Sequence, residues 1–127
     1  MPTAPGFWTA LAATVLLLGA AFVTGRGRRR RLHLVVGPLA MVVLAVAIVL
    51  TEQLMRNYTF AADDLRFHLR FAKAAGLLAV PVMLSGLWLW RRPAARRWHR
   101  LAVYVFLLAT VLATATGIWL MTRATPK

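Results

Sequence analysis

Residues 32–51 read LHLVVGPLAMVVLAVAIVLT, a run with no Asp, Glu, Lys or Arg in it. A helix of this length rises about 30 Å, which matches the hydrocarbon layer of a bilayer. The segment is therefore predicted to cross a membrane. Three further runs share its character, from about Phe7 to Thr24, Phe71 to Trp90 and Leu101 to Met121. Backbone groups in lipid can be satisfied only within helices or a closed barrel, and continuous apolar runs without alternation select helices. The expected fold is all-α: one integral membrane domain over residues 1–127, a four-helix bundle running up-down-up-down, with spans at about 7–24, 32–51, 71–90 and 101–121. Lys73, one turn beyond Arg70, is read as an interface residue whose stem reaches back to the headgroups.

Composition agrees with the pattern. The 127 residues are 61% hydrophobic, contain no cysteine and carry a net charge of +13. Such a chain is not an ordinary soluble domain, and disulfides and thiolate metal sites are excluded. A basic excess of this size would by itself suggest a nucleic-acid binder. Its distribution argues otherwise, and no nucleic-acid partner is expected. Arg26, Arg28, Arg29, Arg30 and Arg31 fill the link between the first two runs, and Arg91, Arg92, Arg96, Arg97 and Arg100 fill the link between the last two. The other side mixes Arg56, Arg66, Arg70, Lys73, Arg123 and Lys127 with the only acids, Glu52, Asp63 and Asp64. The positive-inside rule then puts both arginine-rich links in the cytoplasm and both termini outside. The expected location is the bacterial cytoplasmic (inner) membrane. Trp8, Trp88, Trp90, Trp98 and Trp119 all fall at span ends, where aromatic belts form. Met1 to Gly6 holds no basic residue, so the first run is expected to remain as a permanent helix.

Short links make helices one and two, and three and four, antiparallel neighbours. The longer link, Glu52 to Arg70, is expected to hold a short interfacial helix in which Asp63 and Asp64 pair with Arg66 and Arg70. Asn57-Tyr58-Thr59 fits the glycosylation pattern, a three-residue match common by chance. Small residues mark close helix contacts in lipid. Ala109, Ala113 and Gly117 form such a stripe on helix four, predicted to face inward, and Ala72 and Gly76 form a shorter one on helix three. Pro81 in mid-span is expected to bend helix three, and Pro38 to disturb helix two less.

Arg30-Arg31-Leu32-His33 and Arg96-Arg97-Trp98-His99 repeat one order, Arg-Arg-x-His, each at the start of an outward-running helix. Two histidines at matched depth on different helices suit ligation of haem iron, as haem b, or of another metal. His33 and His99 are the candidate ligands. His68 belongs to the opposite side. The alternative reading makes Arg-Arg-x-His an interfacial anchor. Arg28, Arg29, Arg30, Arg31, Arg91, Arg92, Arg96 and Arg97 then contact anionic lipid headgroups. No nucleophile with a base at a useful spacing, glycine-rich phosphate loop or zinc-protease helix is present, so no catalytic residue is assigned.

Taken together, Arg30 to His33, Ala79-Val80-Pro81-Val82, Trp98-His99-Arg100 and Thr116-Gly117 resemble the YozB-like family of small bacterial membrane proteins over roughly residues 28–121. The resemblance implies a role in cytochrome oxidase assembly, with His33 and His99 matching family histidines. Two other family histidines have no counterpart here: one falls between Thr51 and Asn57, the other near Ala72, with His68 one turn away. Loss of that set would suit a second role, a non-catalytic accessory subunit packed against a larger respiratory or photosynthetic membrane complex. A small carrier or channel is the weakest reading, because polar groups near mid-span are mostly Thr110, Thr114 and Ser85.

Overall fold

The computed structural model describes residues 4–127. Its elements are α1 (Pro5–Arg26), α2 (Arg30–Met55), β1 (Tyr58–Thr59), α3 (Ala62–Leu89), a 3-10 turn (Pro93–Ala95) and α4 (Arg96–Thr122). All four helices are long and apolar enough to cross a membrane. The chain divides into two compact units. One holds α1 and α2 together with Pro126 and Lys127, and the other holds α3 and α4.

The helices outrun the apolar segments at both ends. The arginine-rich link between α1 and α2 shrinks to Gly27–Arg29, because arginine is a good helix former and carries the regular backbone out of the apolar layer. The stop is sharp. The Arg29 amide donates to the Thr24 carbonyl at 3.0 Å and the Arg28 amide to the Gly25 carbonyl at 3.4 Å. That geometry puts Arg28 in the left-handed region at φ 56°, where glycine is the usual residue. Gly27, one position earlier, has an ordinary negative φ. The separate interfacial helix expected in the longer link is absent among the described residues; its acidic residues form the first turn of α3 instead. Asp63 pairs with Arg66 at 3.3 Å, as expected, but Asp64 pairs with Arg123 at the end of α4, 3.2 Å away, and not with Arg70. Arg123 also lies 4.7 Å from the centre of the Trp119 ring. A charge at the far end of the neighbouring helix thus wins over one on the same helix.

Each unit is an antiparallel helical hairpin. In α1–α2 the buried positions recur every seven residues, Phe7, Thr14 and Ala21 on one helix and Ala40, Ala47 and Leu54 on the other. In α3–α4 the same spacing gives His68, Ala75 and Val82 on one helix, while the buried residues of the other are Phe106, Ala109, Leu120 and Met121, with Phe106 and Leu120 two heptads apart. A seven-residue period is the seam of two helices packed at a small angle. The stripe on α4 faces its partner as predicted: Ala109 is buried and Gly117 meets α3. The stripe on α3 does not. Gly76 is exposed with nothing within 4 Å of where a Cβ would stand, and Ala75 next to it takes the seam. Both α2 and α3 continue unbroken through Pro38 and Pro81. In the α1–α2 unit the Lys127 amide donates to the Asn57 carbonyl at 3.2 Å and its Nζ to the Arg56 carbonyl at 2.9 Å.

Because a non-glycine residue in the left-handed region costs about 1 kcal/mol or slightly more, Arg28→Gly is expected to raise the stability of the purified protein by about that amount. Thermal unfolding in detergent, followed by circular dichroism, measures it. An unchanged or lower midpoint contradicts the strain assigned to Arg28.

Candidate functional site

Each histidine stands in the first turns of its helix, where a seven-residue seam begins. His33 is followed by Ala40, Ala47 and Leu54, His68 by Ala75 and Val82, and His99 by Phe106, Ala113 and Leu120. In an antiparallel hairpin the start of one helix meets the end of its partner. The partner ends carry Thr24-Gly25, Ser85-Gly86 and Thr116-Gly117.

The three contacts share one form. A Cβ on Gly25 would sit 3.0 Å from the His33 Cε1, one on Gly117 would sit 3.1 Å from the His68 Cε1, and one on Gly86 would sit 3.3 Å from the His99 Cε1. Every ring therefore lies over a glycine of the facing helix. Beside the glycine waits an acceptor for Nδ1. His33 Nδ1 is 2.9 Å from the Ala21 carbonyl, His68 Nδ1 is 3.0 Å from Thr116 Oγ1, and His99 Nδ1 is 3.0 Å from Ser85 Oγ.

A carbonyl only accepts, so His33 donates from Nδ1. The Thr116 hydroxyl lies 2.7 Å from the Leu112 carbonyl, and the Ser85 hydroxyl 3.2 Å from the Val82 carbonyl. With each hydroxyl donating within its own helix, its oxygen accepts from the imidazole. In that arrangement the neutral rings carry their lone pair on Nε2. That is the arrangement in which a histidine ligates metal through Nε2, its other N–H held by a protein acceptor.

His33 and His99 thus have matching environments, each within its own hairpin. His68, which the repeat left out, has the same environment and is the most enclosed of the three, at 9% exposure. His68 and His99 lie at opposite ends of the α3–α4 hairpin and cannot share a ligand. Among the described residues no three His, Asp or Glu side chains gather around one point. A bare cation asks the protein for three or four donors, whereas haem brings four nitrogens of its own and asks only for axial ligands.

The arginines expected to meet headgroups, Arg28 to Arg31 in one hairpin and Arg91, Arg92, Arg96 and Arg97 in the other, are all exposed. Trp88, Trp90, Trp98 and Trp119 are exposed as well, at 38% or more. Thr110 donates to the Phe106 carbonyl on its own helix, which accounts for one of the polar groups near mid-span.

Sequence reasoning found the repeated Arg-Arg-x-His and missed the glycine partners. The signal was a hydroxyl residue followed by glycine near the end of three of the four apolar runs. Compared with protein-family models, curated proteins and solved structures, the chain matches none of them.

Two outcomes follow from this geometry. Gly117→Ala is expected to destabilise by about 1–3 kcal/mol through overpacking against the His68 ring. Gly76→Ala and Gly19→Ala, with open space around them, are expected to be neutral or stabilising by up to about 1 kcal/mol. Equal midpoints for all three variants in a thermal melt contradict the contact. For the second, Thr116→Val removes the acceptor of a buried N–H and is expected to cost about 1–3 kcal/mol, with Thr116→Ser close to wild type. Nitrogen-15 histidine spectra should show Nδ1 protonated and Nε2 bare in the neutral rings, and the reverse pattern contradicts the assignment.

Proposed function

We propose that this chain is a multi-pass protein of the bacterial cytoplasmic membrane that serves respiratory-oxidase assembly by binding, not by catalysis. Its arginine-rich bends face the cytoplasm and its termini the outside, following the positive-inside rule. The observation that carries the reading is that each imidazole Nδ1 lies within hydrogen-bond distance of an oxygen on the facing helix. That contact leaves Nε2 of His33 and of His99, each in its own hairpin, as the nitrogen that would serve as an axial ligand for haem. When bound, haem supplies electron transfer or is itself the cargo. The protein's own part is to hold each imidazole in one tautomer and orientation. The link to oxidase assembly rests on the resemblance of residues 28–121 to the YozB-like family.

A second reading, a non-catalytic accessory subunit of a larger membrane complex, is favoured by a different observation. The same rings act as spacers between helices, and the exposed faces carry large apolar side chains, with Leu16 at 73% and Leu77 at 74% exposure. Such faces suit either lipid or the helices of a partner.

Absorption spectra of the full-length protein, purified in detergent after growth with ample haem, separate the two. The first reading expects a Soret band that is lost in the His33→Ala, His99→Ala double variant and retained in His68→Ala where that variant folds. It also expects oxidase activity to fall in a strain lacking the chain. A colourless protein recovered in fixed stoichiometry with a large complex supports the second reading and ends the first.

A further inference from the structure

On the α3–α4 hairpin, the first turns of α4 carry a notch of about 260 Å³ lined by Arg97, Arg100, Leu101 and Tyr104. Arg100, Leu101 and Tyr104 follow Arg97 by three, four and seven positions, which places all four on one face of the helix. Side chains on a helix lean toward its N-terminus and cover the turn before their own. Tyr104 and the two arginines therefore line the same small volume, with Tyr104 one turn beyond Arg100. All four residues are exposed.

Within the α3–α4 hairpin no acid stands beside this notch. The chain's acids are Glu52, Asp63 and Asp64 alone. Within this hairpin Asp63 and Asp64 sit at the other end, held by Arg66 and Arg123. Two positive groups with forked donors, a phenol one turn further into the apolar span and a leucine between them match one ligand chemistry. A phosphate oxyanion accepts from the guanidiniums, the phenol reaches the next oxygen, and an apolar tail runs along Leu101. Trp98, on the same turn and 61% exposed, marks the depth as that of headgroups.

We propose that this notch is a binding site for the phosphate of an anionic phospholipid, built by Arg97, Arg100 and Tyr104. It differs from the diffuse attraction of the neighbouring arginines to a negative surface, because it depends on which side chains are present and not on how many charges are. It rests on the membrane reading and is independent of what the histidines bind. Inorganic phosphate offers the same oxyanion, but it has no tail to use Leu101.

Native mass spectrometry of the full-length protein, released from detergent micelles doped with equal phosphatidylglycerol and phosphatidylcholine, tests the site. The expected result is one retained phosphatidylglycerol per chain. Arg97→Lys with Arg100→Lys keeps the net charge and the membrane orientation but removes both forks. It is expected to lower that retention about fivefold, and Tyr104→Phe is expected to lower it by a smaller factor. Arg91→Lys with Arg92→Lys, outside the notch, is expected to leave it unchanged. Equal loss from the two double variants, or no loss from the first, overturns the proposal. So does displacement of the lipid by millimolar inorganic phosphate binding at the same site, which would make a free anion the ligand. A thermal melt of each variant confirms that a lost lipid is not a lost fold.

Discussion

An imidazole laid over a glycine, its Nδ1 proton taken by an oxygen of the facing helix, is the contact on which both hairpins depend. Helices in lipid gain no hydrophobic free energy from meeting one another, since lipid tails are as apolar as leucine. Close approach and hydrogen bonds must hold them instead. Glycine supplies the approach at Gly25, Gly86 and Gly117, and the histidine fills the room that the missing Cβ leaves. The acceptors at Ala21, Thr116 and Ser85 supply the bond. The α3–α4 hairpin carries such a clasp at each end. The α1–α2 hairpin carries one, at the arginine-rich bend, and Phe7 and Leu54 are buried at its other end.

Charge is organised around those clasps. The bends next to His33 and His99 are arginine-rich and hold no acid. At the opposite end of α3–α4 the balance is local: Asp64 spans the two helices to Arg123, and Arg123 in turn stacks on Trp119. An exposed ion pair of this kind contributes little alone. Its position beside the His68 clasp joins both helices at one level. Arg28 shows how far the bend is compressed, since a long charged residue occupies a left-handed position that glycine would fill at less cost.

Chemistry follows from the same hydrogen bonds. A hydroxyl that gives its proton to a carbonyl of its own helix can only accept from the imidazole beside it, and the Ala21 carbonyl can only accept from His33. Under the proposed function, holding helices together and binding a ligand would use different nitrogens of one ring.

Four long apolar helices, their number and their approximate places were legible in the residues, because a run such as 32–51 is long and apolar enough to cross a membrane as one helix. The inward stripe on α4 was legible too, since Ala109, Ala113 and Gly117 are small at every fourth position. The seam on the other helices was not. When the face toward lipid is as apolar as the face toward a partner, hydrophobicity carries no period to read, and so Gly76 looked like a contact while Ala75 made it. The pairing of His68 with Thr116, and of Asp64 with Arg123, was equally hidden, because each joins residues far apart in the chain that only the antiparallel packing brings together. Sequence by itself determined the four apolar helices and the chemical types at each bend. Tertiary structure alone decided which glycine faces which imidazole and which oxygen meets its Nδ1, since hydrogen bonds and steric fit depend on distances across helices that no local pattern encodes.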